Sequence, residues 1–384
     1  MVIPIDFEAR RKALAKKVCE KGFDVYLATR QAALHYLCGV FMPWRGVAMI
    51  TAKGDFKLFY WENDASRVRQ EGAPMDVVEY KSEDLMEKLK VELVERGISE
   101  GKIAMDLILP GNAQPAPGIL TASEYFQIKE TFPDAEIMNG VSALDELIMI
   151  KDEAEIERMR KVANIADYGF QQALSILKPG ITENHVAGVL EQATRDKGSY
   201  WAWSVTGGTE VGSGERTAFH HGVTQIATDK IIEENQFLIL DFHPSYDLYL
   251  CDFSVPVFLG KPNELQQKII DCWEEAVQTV FDNAKPGSVI SDVVALGIEI
   301  YKKHGFYEYC VPRFGHGLGL CVRTGPLLNL SNKDVFKTGM TYAMGAHLYY
   351  PGVGGMRLEY PVYIGENGAE QLADTPMKVH IVPV

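Results

Sequence analysis

Two aspartates set into an apolar stretch carry the first chemical signal. Residues 237–260 read FLILDFHPSYDLYLCDFSVPVFLG, two apolar runs about a short turn, with Asp241 in the first and Asp252 in the second. Folded as an antiparallel hairpin centred between Tyr246 and Asp247, the two carboxylates are expected to lie directly opposite each other, on one face of the sheet. Like charges held side by side repel, more so when partly buried, unless a cation or a shared proton lies between them. The pair reads as half of a metal site. The competing reading is one turn aspartate and one solvated on an edge strand.

Four other stretches carry candidate groups. Residues 213–222, SGERTAFHHG, place His220 and His221 ahead of the hairpin, as ligands or general acid/base groups, against a polar loop with two exposed rings. In FGHGLGL (314–320), glycines on both sides of His316 leave room for a ligand or another backbone, against a structural histidine. In MRLEYP (356–361), Arg357 and Glu359 share a face if the segment is extended, against an ordinary surface ion pair. In AHLYYPG (346–352), His347 and Tyr349 form a pocket wall or simply an aromatic loop. Tyr200, Trp201, Trp203, Phe242, Tyr349 and Tyr350 are pocket aromatics or core. With acidic neighbours they would suit a cationic or quaternary ammonium substrate.

The elements that must position these groups follow from periodicity. Helix at 7–22, strand at 23–27, helix at 32–37, strands at 46–50 and 56–60, helix at 84–96, strand at 102–106 and helix at 122–129 alternate as in an α/β domain. A boundary falls at 149–152. A long helix follows and stops at Lys178-Pro179-Gly180. Thr182 caps a second helix over 183–197. Beyond the hairpin, a helix at 264–284, a Lys285-Pro286-Gly287 break and a helix at 291–304 repeat this arrangement, as in an internal pseudo-duplication. The remainder is glycine-rich and reads as strands and loops.

Composition bounds the class. A chain of 384 residues predicts two domains, with 47% hydrophobic and 23% charged residues as in soluble globular proteins. The balance of 38 basic against 52 acidic residues, net −14, argues against a nucleic-acid partner, whose phosphates require clustered Lys and Arg. Six scattered cysteines without CxxC spacing read as free thiols in a reducing compartment. No apolar run reaches the ~18 residues of a membrane span, and the N-terminal stretch reads as an amphipathic helix without a signal-peptide core. No membrane partner and a cytoplasmic location are expected.

Taken in order, these segments resemble the creatinase, aminopeptidase P and prolidase family. The resemblance is carried by IKDEAEIERMRKVANIAD (150–167), KPGITE (178–183), the two aspartates, GHGLGL (315–320) and GMRLEY (355–360). It implies a creatinase-type α/β N-terminal domain over 1–148 and an α+β "pita-bread" catalytic domain over 149–384. The family's metallopeptidases hold two divalent ions on an Asp, Asp, His, Glu, Glu set. Carried over, these are Asp241, Asp252, His316 and Glu359, and the remaining Glu position reads Gly345. A substrate-holding histidine falls on His221, with His220 beside it. Arg323 stands where the family has a second histidine, and Val255 where it has an arginine.

The departures leave two readings open. In one, Asp241, Asp252 and Glu359 keep a three-carboxylate site, a second is reduced to Asp252, His316 and Glu359, and His347 lies near the gap. One or two ions such as Mn, Zn or Co would bind, a hard ion such as Mn²⁺ suiting the carboxylates. In the other, no metal is used: as in creatinase, His221 is the acid/base, Asp252 and Glu359 grip a cationic substrate, and His316 orients it. Catalytic roles thus fall to His221, His316, Glu359 and Asp252, and substrate contacts to His220, Arg323, His347, Tyr349 and Arg357. The implied function is a hydrolase cleaving a C–N bond in a small molecule, creatinase-like and not an ordinary prolidase. The alternatives are a metal-dependent Xaa-Pro dipeptidase or aminopeptidase, and a non-catalytic binding protein. The family implies a homodimer.

Overall fold

The computed structural model describes residues 3–81, 84–107, 118, 120–200, 209–218, 226–320 and 324–384. They form two compact units, Pro4–Ile148, and Met149–Val384 together with Met1–Ile3.

In the first unit, helices α1 (Phe7–Glu20), α2 (Gln31–Cys38), α3 (Ala65–Glu71), α4 (Leu85–Glu95), α5 (Ala122–Thr131) and α6 (Val141–Ile148) accompany a six-stranded mixed sheet. Its strands are β1 (Val25–Ala28), β2 (Val47–Thr51), β3 (Phe56–Trp61), β4 (Val77–Tyr80), β5 (Lys102–Met105) and β6 (Glu136–Asn139), in the order β4-β3-β2-β1-β5-β6. Both central strands, β1 and β2, are buried along their whole length, which is why they read as unbroken apolar runs and not as alternating ones. Local sequence sets the helix starts. The Asp6 carboxylate accepts from the Ala9 N–H at α1, and Thr121 and Glu124 form a reciprocal capping box at α5.

The second unit begins with α7 (Glu153–Ile176) and α8 (Glu183–Asp196), and later carries α9 (Glu264–Asn283) and α10 (Ile290–Lys303). Each pair packs together and is joined through a Lys-Pro-Gly segment, with Gly180 at φ 95° and Gly287 at φ 88°. That backbone suits glycine, so the repeated break has a conformational cause. Capping boxes at Asp152 and Asn263 start α7 and α9.

Around these helices lie β7 (Glu210–Ser213), β8 (Gln236–Phe242), β9 (Ser245–Tyr246), β10 (Tyr249–Leu250), β11 (Phe253–Ser254), β12 (Val257–Leu259), β13 (Gly315–Gly317), β14 (Thr341–Met344), β15 (His347–Tyr350), β16 (Gly354–Arg357), β17 (Tyr360–Gly365), β18 (Gly368–Gln371) and β19 (His380–Val382). One sheet runs β11-β8-β12-β19 with β7 also on β8, another runs β13-β14-β17-β18, and β9-β10 and β15-β16 are separate pairs. Among the described residues, no helix is long and apolar enough to cross a membrane, and the described cysteines are free.

The hairpin corrects the sequence reading in its register. Its turn centres on Asp247 and Leu248, at φ 48° and 60°, so Tyr246 pairs Tyr249 and Phe242 pairs Phe253. Asp241 therefore faces Ser254 and not Asp252. A two-residue hairpin loop of the type I′ form requires left-handed backbone at both central positions, as here. Asp is among the few non-glycine residues that adopt it, and Arg158 Nε holds the Asp247 carboxylate at 2.5 Å. Moving the turn by one residue moves the register by two. Since strand side chains alternate with period two, Asp241 and Asp252 stay on one face despite the shift.

Candidate active site

Strand pairing assembles the site. Asp241 on β8 pairs with Glu210 on one side and Ser254 on the other. Ser254 in turn bridges Glu359, through N···O contacts of 2.7 and 2.9 Å in the two directions. Glu210, Asp241, Ser254 and Glu359 thus lie abreast, and residues abreast present their side chains to the same face. All four are buried. Asp252, one residue before Phe253 and nearer the turn, comes level with His243, whose Nε2 lies 3.0 Å from Asp252 Oδ1 and 3.9 Å from Asp241 Oδ1.

Arg357 fixes the first carboxylate. Its Nη1 donates to Asp241 Oδ2 at 2.5 Å and to Glu210 Oε2 at 2.9 Å, and its Nε donates to the Tyr349 hydroxyl at 3.4 Å. This leaves Asp241 Oδ1 to face the cluster. On β13, His316 Nδ1 lies 3.1 Å from Gly317 O. A carbonyl only accepts, so Nδ1 is the donor, which leaves Nε2, 3.4 Å from Asp252 Oδ2, as the ring's free position when neutral. His347 Nε2 is 3.7 Å from Glu359 Oε1.

The electrostatics show an excess of negative charge. Burial pushes Asp241 up to about 6 despite Arg357, and burial with Asp252 and Asp241 pushes Glu359 well above the carboxylate range. Burial alone would raise Asp252 and lower His243. Instead His243 and His316 hold Asp252 well below its usual value, and Asp252, Asp241 and Glu210 lift His243 to about 9. Four buried carboxylates facing one arginine produce this pattern, and a bound cation relieves it.

The residues fit a divalent cation. Ligand atoms of Asp241, His243, Asp252 and Glu359 all lie within 4.8 Å of one another. Asp241 Oδ1, Asp252 Oδ1 and His316 Nε2 are buried without a hydrogen-bond partner. Buried carboxylate oxygens in that state are costly unless paired or coordinating. Gly345 contributes nothing and has no room to: a Cβ there would meet Leu358 O at 2.2 Å. His347 Nε2 lies 3.5 Å from the same point.

Of the residues singled out from sequence, the fold gathers Asp241, Asp252, His316, His347, Arg357 and Glu359. His220, His221, Arg323, Trp201 and Trp203 lie outside the described residues. Arg357 and Tyr349 do not form a substrate wall here, because both are buried and hydrogen-bonded to each other behind Asp241. Phe242 packs on Phe253 in the core, and half-buried Tyr350 packs on half-buried Tyr309. Tyr200 is exposed, and its N–H donates to Ser245 O. Sequence reasoning missed His243 and Glu210. For His243 the signal was present: it stands two residues after Asp241, the same-face spacing that singled out Arg357 and Glu359. Nothing local marks Glu210, which arrives through β7–β8 pairing.

Arg357 reaches its three partners from two separate nitrogens of a rigid planar fork, a spread that the single nitrogen of an ammonium does not reproduce. Arg357→Lys is expected to lower unfolding stability by about 1–3 kcal/mol, the cost of buried acceptors losing a donor, read by denaturant titration.

The chain matches the metallopeptidase family M24 over residues 157–366 and the creatinase/prolidase N-terminal domain over residues 10–150. It is 28% identical over 366 residues to a Xaa-Pro dipeptidase of Pyrococcus furiosus, covering 95% of this chain and 98% of that one. It is 31% identical over 263 residues to an uncharacterized peptidase of Bacillus subtilis, covering 68% and 73%. The structure superposes on a Xaa-Pro dipeptidase from Bacillus anthracis with TM-score 0.86 at 25% identity, covering 98% of this chain and 100% of that one. A creatinase-type N-terminal domain, a pita-bread catalytic domain and a buried acidic cluster at its centre together place this chain in metallopeptidase family M24, as a hydrolase.

Proposed function

We propose that this hydrolase is a metal-dependent Xaa-Pro dipeptidase with an altered ligand set. The observation that carries the reading is the group of three buried carboxylates, Asp241, Asp252 and Glu359, two of them with an oxygen that has no hydrogen-bond partner. The relatives named above support the peptidase alternative over the creatinase-like one, to which the family departures at Gly345, Arg323 and Val255 had pointed. Asp241, Asp252, Glu359 and His316 would hold a divalent ion such as Mn²⁺, Co²⁺ or Zn²⁺. When bound, such an ion supplies a Lewis acid for the scissile carbonyl and generates a nucleophile from water at neutral pH.

The chain's own residues do the rest. Arg357 holds Asp241 in one orientation, so that Oδ1 faces the reacting centre. His316 Nε2 faces that centre beside Asp252, and His347 Nε2 faces it beside Glu359. His316 would be committed through Nε2 to the ion, so His347 is the histidine within reach to accept or deliver the proton exchanged between nucleophile and leaving amine. His221 and Arg323 are the proposed contacts to the substrate's backbone and carboxylate. The test is a substrate panel on protein reconstituted with Mn²⁺, Co²⁺ or Zn²⁺. Hydrolysis of Xaa-Pro dipeptides, abolished by chelator, is the expected result. Turnover of guanidino or quaternary-ammonium C–N substrates without peptide cleavage would overturn it.

A further inference from the structure

We propose that His243 supplies a further nitrogen ligand to the cation, adding an imidazole to the three carboxylates and His316. The inference rests on reading the cluster as a cation centre and goes beyond it in naming a ligand and the class of ion the set prefers.

His243 is buried immediately past β8, two residues after Asp241 on the same face and level with Asp252. Its Nε2 approaches Asp252 Oδ1 to 3.0 Å, yet that oxygen has no hydrogen-bond partner, and neither has Asp241 Oδ1, 3.9 Å from the same nitrogen. A histidine placed only to satisfy a carboxylate would align a hydrogen bond with it. Here the nitrogen and the two oxygens lie close together, at N···O separations of 3.0 and 3.9 Å, with neither oxygen hydrogen-bonded. Glu359 completes the group, with all ligand atoms within 4.8 Å. Donors on opposite sides of a divalent ion at roughly 2.0–2.2 Å each stand up to about 4.4 Å apart, so a small contraction closes the set.

The remaining surroundings agree. Asp241 Oδ2 is taken by Arg357, which leaves a single oxygen to ligate. Across the site, Gly345 offers no donor and its backbone admits no side chain. The chain thus carries an imidazole at His243 and lacks the family carboxylate at Gly345. A mixed N/O set favours borderline ions such as Co²⁺ or Zn²⁺ over Mg²⁺ or Ca²⁺, which prefer all-oxygen sites.

Chelator-stripped wild type, His243→Ala and His243→Gln are titrated with Co²⁺ by calorimetry and visible absorption, with circular dichroism to confirm folding. Binding by the wild type is expected, preferred over Mg²⁺. It should weaken in both variants by at least the roughly 10–100-fold that loss of an outer-shell partner costs. Equal or tighter binding in the variants would overturn the inference, because His243 would then be a counter-cation that a metal competes with. So would absence of Co²⁺ binding by the wild type. Should the His243 variants misfold, Cu²⁺ spin resonance on the His316→Ala, His347→Ala double variant decides. Nitrogen coupling that persists is expected, and its loss overturns the inference. Peptide hydrolysis is scored separately. Turnover with His243-independent binding overturns this inference alone, and His243-dependent binding without Xaa-Pro cleavage overturns only the proposed function.

Discussion

Asp252→Ala is expected to abolish peptide hydrolysis and cation binding together while leaving the chain folded. Asp252 is the carboxylate on which the site converges. His243 Nε2 and His316 Nε2 both face it, at 3.0 and 3.4 Å, and its charge helps drive Glu359 upward. Its removal takes a primary ligand from the set, so kcat/KM should fall by more than the roughly 100-fold upper cost of losing an outer-shell partner. Stability responds differently. Breaking an isolated buried ion pair costs about 3–5 kcal/mol. Here His243 still faces Asp241 at 3.9 Å, and repulsion on Glu359 is relieved, so the loss should be smaller than that. Metal titration, kinetics and thermal unfolding on one preparation check all three parts. Activity lost with cation binding intact would move Asp252 from ligand to acid/base, and retention of activity would remove it from the site.

Asp106→Ala should give the largest loss of stability, in the unit that carries none of the cluster. Asp106 is fully buried and accepts from the Tyr26 hydroxyl, the Thr29 and Arg30 N–H groups at 2.6 and 2.9 Å, and Arg30 Nε at 2.9 Å. It ties β1, the turn into α2 and the end of β5 together through one side chain. Arg30 would keep only Asp145, at 2.8 Å, and the Val141 carbonyl among these partners. Asp145 still faces the Arg30 charge, but the Tyr26 hydroxyl and two backbone N–H groups are stranded as well, so the loss should match the roughly 3–5 kcal/mol of breaking a buried charge pair. Asp106→Asn keeps an acceptor oxygen and should cost about 1–3 kcal/mol. Calorimetric unfolding of the full chain checks the ranking, and equal small losses in both variants would refute it.

Sequence alone singled out most of the candidate site residues. Asp241, Asp252, His316 and Glu359 were candidates by type and spacing, and the resemblance to the family's motifs made them a ligand set and marked Gly345 as the gap in it. The helix pairs with their Lys-Pro-Gly breaks were also legible, because caps, glycine and proline act within a few residues. Tertiary structure decided who faces whom. The hairpin register turned on two left-handed residues, Asp247 and Leu248, that carry no glycine to announce them, and it set Asp252 level with His243 and Asp241 abreast of Ser254. Arg357 read as a surface or substrate-facing charge, yet it became the buried clamp on Asp241, since its partner Glu210 arrives on a strand far away in sequence. Local rules fix elements and residue types. The approach of side chains across strands depends on non-local pairing, and short-range sequence carries no record of it.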